Sequence, residues 1–253
     1  MVRIPAVRRA LAASVLCALA LPPVHAVAQT CQARSADRQA LLVELYTSEG
    51  CNSCPPADRW LSQLKGASAQ PPVLAAAFHV DYWDRLGWVD RFGSARHTER
   101  QAEQQRSSGA GFSYTPQVLV NGRDWRGWPT LPVLEANALV RIDLRRQDGQ
   151  QVSASITPLR GAPARLALWW AVLEDGHSSA VGAGENHGVT LRHDHVVRQY
   201  GRVAAWGHEP GAAAHDERLM ANPHGEGGRK ARLLVVVIDA VTGAPLQAAQ
   251  INC

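Results

Sequence analysis

The sequence predicts an α+β protein in which an α/β domain over residues 38–140 is followed by a mainly antiparallel β domain over residues 141–253. Three observations support this prediction. A short buried-strand pattern leads into a Cys-x-x-Cys unit and then a helix pattern. From about residue 140 the apolar runs become β-like and are separated by glycine-rich polar loops. The chain that remains after a leader, about 225 residues, suits two domains of ordinary size.

The first 28 residues have the three-part pattern of a secretory signal peptide. Arg3, Arg8 and Arg9 form a basic start, residues 10–21 form an apolar run, and small residues around Ala26 offer a cleavage site. The apolar run is too short to span a bilayer comfortably. We therefore expect a periplasmic or secreted protein that keeps no membrane anchor after cleavage.

The charge of the chain argues against polyanionic partners. The leader holds three arginines and no acidic residue, so its removal lowers the formal net charge from +4 to +1. A chain so close to neutral has no overall charge with which to attract nucleic acid or an anionic membrane surface. We expect neither as a partner.

The first half of the α/β domain is predicted as strand, Cys-x-x-Cys and helix. Leu41–Thr47 is a short apolar run with β character that ends at a Ser-Glu-Gly turn, so it predicts a buried strand. Cys51 and Cys54 follow this turn. Pro55 and Pro56 fit a helix only in its first turn, where backbone N–H groups lack partners anyway, so a helix is predicted to begin there.

Three further elements are predicted in this domain, followed by a last helix. Residues 73–80 predict a second buried strand, and the polar segment 94–106 predicts a helix because it is rich in helix formers. Gln117–Val120 predicts a strand, and the Asn-Gly pair after it is a hairpin signal. A helix over residues 130–138 is predicted to complete the unit.

The second domain is predicted from apolar runs with β character and one long polar loop. Residues 207–228 are rich in Gly, Ala and His, and we interpret them as a mobile loop or lid. The predicted strands cover residues 152–156, 164–173, 195–203 and 233–238.

Several long motifs follow one another in a fixed order. They are residues 44–58 (ELYTSEGCNSCPPAD), 79–84 (HVDYWD) with Gly87-Trp88, 114–117 (YTPQ) with 120–122 (VNG), and 184–188 (GENHG) followed by 196–198 (VVR). In these motifs the chain resembles the secreted thioredoxin-like family known as domain of unknown function 1223.

The resemblance implies that the α/β domain is thioredoxin-like and that the protein is exported. It implies no activity, because none is established for the family. Thr115-Pro116 is similar to the dipeptide that carries a cis-proline beside the disulfide in the thioredoxin fold. The chain departs from thioredoxins by lacking their Trp-Cys-Gly-Pro-Cys sequence, so their redox potential and partners do not carry over.

The chemistry predicted for the two central cysteines is thiol-disulfide exchange. A helix N-terminus offers partial positive charge and free N–H groups that favour a thiolate. Cys51 is therefore assigned as the attacking thiolate and Cys54, one turn later, as the resolving thiol. Pro116, if cis, would present with Thr115 flat backbone to an extended polypeptide. The predicted function is an oxidoreductase that acts on protein cysteines with an unidentified redox partner and without a cofactor.

Two other interpretations use the same cysteines. Cys51 and Cys54 could form an inert structural disulfide in a non-catalytic scaffold. Together with His79 they could instead hold copper or zinc, which thiolates and imidazole suit. The direction of exchange stays open, because it depends on a reduction potential and a redox partner that the sequence does not give. The sequence does not identify the substrate either.

The remaining candidates are two further cysteines and two acidic residues. Cys31 and Cys253 are predicted to form a structural disulfide that ties the two ends of the mature chain together. The rival interpretation is that one of them relays electrons to the central pair. Glu44 or Asp81 is the candidate proton acceptor for exchange, although structural hydrogen bonding is the preferred interpretation of each.

His193 and His195 form a second candidate metal site. They occupy alternate positions of a predicted strand, so their side chains face the same side. The preferred interpretation is a surface histidine pair without a metal.

Overall fold

The computed structural model describes residues 31–66, 71–146, 151–209, 211–222 and 225–252. These residues form two α-helices, α1 (Pro55–Gln63) and α2 (Ala95–Ser108), and two 3-10 turns at Asp84–Leu86 and Glu226–Gly228. The predicted signal peptide lies outside the described residues. The strands are β1 (Gln32–Arg34), β2 (Leu41–Thr47), β3 (Val73–His79), β4 (Gln117–Val120), β5 (Arg123–Asp124), β6 (Val140–Arg146), β7 (Gln151–Pro158), β8 (Arg165–Glu174), β9 (His177–Ala180), β10 (Thr190–His193), β11 (Val196–Gly207), β12 (His215–Met220), β13 (Ala231–Asp239) and β14 (Pro245–Ile251).

The dominant element is one mixed eight-stranded sheet. Its strand order is β14-β13-β8-β11-β3-β2-β4-β5, so the two predicted domains contribute four strands each. The strands of the two halves meet where β11 pairs in parallel with β3. Val196 is in register with Ala77 there, and the Ala77 N–H donates to the carbonyl of His195 at 2.8 Å. The prediction of a thioredoxin-like α/β domain followed by a mainly antiparallel β domain is therefore wrong. The physical reason is that β11, from the second half of the chain, pairs with the otherwise open edge of β3. Both halves therefore build one sheet.

A four-stranded antiparallel sheet, in the order β1-β6-β7-β12, packs against the β8–β13–β14 part of the large sheet. Alternate residues of its strands point inwards, as in Val140, Ile142 and Leu144 of β6. They meet the side chains of Leu166 and Val235, which are fully buried. Burying a side chain of this kind stabilises the fold by roughly 1.5–3 kcal/mol.

The two helices cover opposite faces of the large sheet. On β2, Val43 and Leu45 face the cluster that includes Trp60 of α1, whereas Tyr46 faces the opposite cluster. That second cluster is covered by α2, whose Arg100 guanidinium lies 4.3 Å from the ring centroid of Phe78. The Cys-x-x-Cys turn precedes α1 and therefore belongs to the α1 face of the sheet.

Several local predictions are confirmed. The strand, Cys-x-x-Cys and helix succession is present as β2 and α1, and α2 begins after Ser94, whose side chain accepts from the N–H of Arg96. Asn121 and Gly122 have positive φ and join β4 to β5 as a hairpin. The four strands predicted in the second half correspond to β7, β8, β11 and β13.

Two local predictions are wrong. Residues 130–138 form no helix; their leucines Leu131 and Leu134 pack on the α1 cluster from an irregular segment. Pro132 lacks the N–H that a helix interior needs. The segment predicted as a loop or lid contains β12, which pairs with β7. In β12 Leu219 is the buried residue, so the strand has no apolar run to mark it.

No helix within the described ranges has both the length and the apolar character needed to cross a membrane.

Candidate functional site

The Cys-x-x-Cys turn joins β2 to α1. A disulfide links Cys51 to Cys54, with their Cα atoms 5.5 Å apart. Cys54 is the N-cap residue of α1, and its carbonyl accepts from the N–H groups of Ala57 and Asp58 at 2.9 and 3.1 Å. The two prolines at the start of the helix have no N–H to satisfy. The disulfide therefore lies at a helix N-terminus, as the sequence predicts.

Trp83 connects this turn to the predicted proline site. A Cβ at Gly50 would lie 2.9 Å from Cβ of Trp83, so the tryptophan packs on the glycine that precedes Cys51. Its indole Nε1 donates to Oγ1 of Thr115 at 2.8 Å. The Thr115–Pro116 peptide bond is cis, as the comparison with thioredoxins implies. Thr115 and Pro116 are half-buried at the start of β4, which pairs with β2.

A loop from the second half of the chain covers the cysteine turn. We define the cover loop as residues 181–189, between β9 and β10. The Asn186 side chain donates to the carbonyls of Glu49 and Cys51 at 2.8 and 3.0 Å. The Glu185 carboxylate accepts from the Asn52 N–H at 3.1 Å. Cys51 and Cys54 have no exposed surface, so a large partner reaches their sulfurs only if a covering segment moves.

A buried polar cluster lies behind the turn. We define the cluster as Glu49, Asp58, His79, Asp90 and His193, all of which are at most 7% exposed. They come from the Cys turn, from α1, from the ends of β3 and β10, and from the loop after the first 3-10 turn. Asp58 lies one helical turn after Cys54, which places the cluster next to the disulfide.

The pair formed by His79 and Asp90 is the tightest contact of the cluster. Nδ1 of His79 lies 2.7 Å from Oδ2 of Asp90, and both side chains are fully buried. Burial alone would lower the pKa of His79, but the Asp90 carboxylate outweighs it and the pKa is raised. Burial likewise opposes ionisation of Asp90, yet His79 brings the pKa of Asp90 down to about 2.

The other two acids of the cluster, Glu49 and Asp58, also contact polar side chains. Oε2 of Glu49 accepts from the Trp88 indole at 2.7 Å, while Oε1 lies 3.3 Å from Nε2 of His193. Burial would raise the pKa of Glu49, but the contacts from His193 and Trp88 lower it. Oδ2 of Asp58 accepts from the Thr47 hydroxyl at 3.0 Å. Burial raises the pKa of Asp58.

The predicted proton acceptors are engaged at other places. Glu44 lies on the α2 face, where it forms an ion pair with Arg100 at 2.5 Å. Arg100 also donates to the hydroxyl of Tyr46. Asp81 accepts from the Thr98 hydroxyl of α2 at 2.6 Å. Both acids are thus hydrogen-bonded or ion-paired to structural partners, which agrees with the preferred interpretation of each.

The alternative metal set of Cys51, Cys54 and His79 does not form one ligand group among the described residues. His79 is instead grouped with Asp58 and His193, and the two sulfurs are bonded to each other. The predicted disulfide between Cys31 and Cys253 involves a residue that lies outside the described ones. That pairing stays a prediction.

The interpretation of His193 and His195 as a surface pair is wrong. The two residues are 2% and 5% exposed, respectively. His195 has a φ of 59°, and its Nδ1 lies 2.6 Å from the Arg232 guanidinium. Burial and the charge of Arg232 lower the pKa of His195 to about 4. The two residues do not share one side of a strand either, because His193 ends β10 and His195 lies in the turn before β11.

The sequence prediction omitted Glu49, Asp58, Asp90 and Asn186 from the site. Glu49 and Asp58 lie within seven residues of the cysteines, so their position alone could have marked them. Asp90 and Asn186 carry no such signal, because long-range contacts bring them to the turn.

Comparison with known proteins supports one family assignment and the fold. The family model described as "Protein of unknown function (DUF1223)" matches residues 42–238. No curated protein sequence matches the chain. The crystal structure of protein AGR_C_4864 from Agrobacterium tumefaciens is similar with a TM-score of 0.63 at 24% identity, covering 86% of this chain and 96% of that one. HBP35 of Porphyromonas gingivalis has a TM-score of 0.55 at 13% identity, covering 85% and 76%. At these identities the structural likeness concerns the fold alone.

Proposed function

The chain belongs to the DUF1223 family of proteins of unknown function, and from that premise we propose that it is an exported thiol-disulfide oxidoreductase acting on protein cysteines. The observation that carries the proposal is the Cys51–Cys54 disulfide at the first turn of α1. A helix N-terminus favours the thiolate form of a cysteine beside it, and a two-residue spacing lets the pair close on itself. Both properties are needed for rapid, reversible exchange.

In the reducing direction the exchange takes two steps. The Cys51 thiolate attacks a substrate disulfide, forming a bond between Cys51 and one substrate sulfur, while the other substrate sulfur leaves as a thiolate. The Cys54 thiolate then attacks Sγ of Cys51, which closes the Cys51–Cys54 disulfide and releases the second substrate thiolate. The substrate disulfide is reduced by two electrons and the cysteine pair is oxidised. The same steps in reverse oxidise a substrate dithiol.

The surroundings of the disulfide support a gated form of this activity. Because neither sulfur is exposed, we propose that the cover loop moves aside when a substrate binds. Asn186 and Glu185 hold the loop to the turn through three hydrogen bonds to its backbone. Thr115 and Pro116, which Trp83 ties to the turn, would then offer backbone groups to an extended substrate segment.

The proposed compartment follows from the chemistry as well as from the leader. Disulfides form and persist outside the cytosol, in the periplasm or the extracellular space. The predicted signal peptide sends the chain there. The substrates would be protein thiols or disulfides of that compartment, and a separate redox partner would restore the cysteine pair.

Trapping of mixed disulfides tests the proposal. The Cys54→Ser variant should accumulate a covalent complex with a disulfide-bonded test protein, because Cys51 attacks and no thiol resolves the product. The Cys51→Ser variant is the matched control and should accumulate none. No complex in either variant, or equal amounts in both, would favour an inert bridge in a scaffold protein.

A further inference from the structure

We propose that Asp58, His79 and His193 form a binding site for one divalent first-row transition-metal ion such as Zn²⁺, directly beneath the Cys51–Cys54 turn. The three side chains come from α1, from the end of β3 and from the end of β10. One ligand atom of each lies within 4.8 Å of the others. The side chains are 7%, 0% and 2% exposed, respectively.

The spacing is close to what one ion can bridge. In tetrahedral coordination with metal–ligand bonds of about 2.0–2.2 Å, two ligand atoms of one ion lie about 3.3–3.6 Å apart. Nδ1 of His193 and Oδ1 of Asp58 are 3.9 Å apart, so they need to approach each other by only about 0.3–0.6 Å to bind one ion. The imidazole centroids of His79 and His193 are 4.9 Å apart and nearly perpendicular, which lets both rings aim a nitrogen at one point.

Polar atoms that lack hydrogen-bond partners point to a ligand here. Nε2 of His79 and Nδ1 of His193 are buried without such a partner. Buried polar groups are nearly always paired, because an unpaired one loses its hydration without compensation. A metal ion would satisfy Nε2 of His79 and one nitrogen of His193 at once.

The outer contacts of the three residues have the form of a second coordination shell. Nδ1 of His79 is held by Asp90 at 2.7 Å, so its Nε2 is left for a ligand. Nε2 of His193 lies 3.3 Å from the Glu49 carboxylate, which leaves Nδ1 on the side of Asp58. Oδ2 of Asp58 accepts from the Thr47 hydroxyl, which leaves its Oδ1 for a metal ion. Metal-binding histidines commonly donate their other N–H to a carboxylate in this way.

The donor set decides the class of ion. Two imidazoles and one carboxylate suit Zn²⁺ and the neighbouring divalent ions, whereas Ca²⁺ and Mg²⁺ prefer oxygen ligands and Cu⁺ prefers thiolates. Three carboxylates, those of Glu49, Asp58 and Asp90, are buried within the same cluster. A dication would offset their charge in this water-poor interior.

A pocket gives the ion a route from solvent. It has a volume of about 190 Å³ and lies between α1 and β10, with Asp58 and His193 in its wall. Its outer wall includes Arg59 and Val189. The pocket lining includes neither cysteine, so an ion can reach Asp58 and His193 without opening of the disulfide.

The test is titration of the oxidised full protein with Zn²⁺, together with X-ray absorption of the zinc-loaded wild type. We expect one equivalent bound, with zinc–nitrogen or zinc–oxygen distances of about 2.0–2.2 Å and no sulfur at about 2.3 Å. Binding should weaken at least 100-fold in Asp58→Asn, His79→Gln and His193→Gln. It should persist in His187→Gln, a control in the exposed part of the cover loop, and in the double variant Cys51→Ser/Cys54→Ser.

Three results would overturn the proposal. They are no stoichiometric zinc binding by the wild type, unchanged affinity in all three ligand variants, and a sulfur ligand in the absorption spectrum. If a ligand variant fails to fold, the wild-type spectrum still decides, because it must show two imidazole ligands, whereas zinc bound at Glu174, His177 and Glu226, another candidate ligand group, would show one. Because the titration is done on oxidised protein, its failure leaves the redox proposal untouched, and failure of disulfide trapping leaves this site untouched.

Discussion

The side-chain amide of Asn186 donates to the backbone carbonyl of Cys51 at 3.0 Å, although the two residues are 135 positions apart in the chain. A second bond from the same amide reaches the carbonyl of Glu49 at 2.8 Å. One buried side chain from the second half of the protein thus fastens the cover loop over the cysteine turn of the first half. Access to the disulfide should therefore depend on the strength of these two hydrogen bonds from Asn186.

Asn186→Ala should speed reduction of the Cys51–Cys54 disulfide by a small-molecule dithiol at least several-fold. The substitution removes two hydrogen bonds, each worth about 0.5–1.5 kcal/mol, so the cover loop opens more often. The measurement is a time course of thiol trapping under native conditions. His187→Ala alters an exposed neighbour in the same loop and should reduce at the wild-type rate. Equal rates in Asn186→Ala and wild type would show that the loop does not gate the disulfide.

Gly50→Ala should lower the free energy of unfolding by about 1–3 kcal/mol, because the new methyl group would meet the Trp83 side chain at 2.9 Å. Denaturant unfolding measures the change. Gly111→Ala is the control, since nothing lies within 4 Å of a Cβ at that position. Equal stability of the two variants would contradict the close packing of Trp83 on the turn.

Trp83→Phe should slow formation of the mixed disulfide in the Cys54→Ser background while changing stability by only about 1 kcal/mol. The phenylalanine keeps an aromatic ring but cannot donate to Thr115, so the residue before Pro116 loses its tie to the turn. Trp125→Phe removes an indole donor to the Thr130 carbonyl at a more exposed position and is the matched control. Identical trapping rates in the two variants would argue against a role for Thr115 and Pro116 in placing the substrate.

Glu44→Gln should destabilise the protein by about 3–5 kcal/mol, because it leaves the buried Arg100 guanidinium without its counter-charge. The double variant Glu44→Gln/Arg100→Met should recover part of this loss. Chemical denaturation gives the free energies, and a redox titration of the folded variants gives the potential of the cysteine pair. That potential should stay at the wild-type value, since Glu44 lies on the α2 face. A shifted potential would restore Glu44 as a proton acceptor.

The sequence was sufficient for most of the local structure, with residues 130–138 and β12 as the exceptions. Pro55 and Pro56 mark the start of α1, and Asn121-Gly122 marks the β4–β5 hairpin, because each depends on backbone geometry within a few residues. Runs with β character likewise identified β7, β8, β11 and β13. The pairing of Val196 with Ala77 could not be predicted, since any strand of the second half could have occupied the edge of β3. That one pairing makes the two predicted domains share a sheet.

The candidate site was only partly predictable for the same reason. The two cysteines and Thr115-Pro116 are visible as motifs. His193 was expected in a surface histidine pair, yet folding buries it beside Asp58 and Glu49. Asn186 is visible in the sequence only within the motif of residues 184–188. Both residues gain their roles from contacts more than 130 positions apart, and no periodicity in the sequence encodes such contacts.

Whether Cys51 and Cys54 form a redox-active pair is measured by a glutathione redox titration with mass-resolved thiol trapping. We expect a reversible two-electron couple for this pair with a potential above about −250 mV, within reach of exported oxidoreductases. A pair that stays oxidised to below about −300 mV would be a structural bridge and not a redox-active pair.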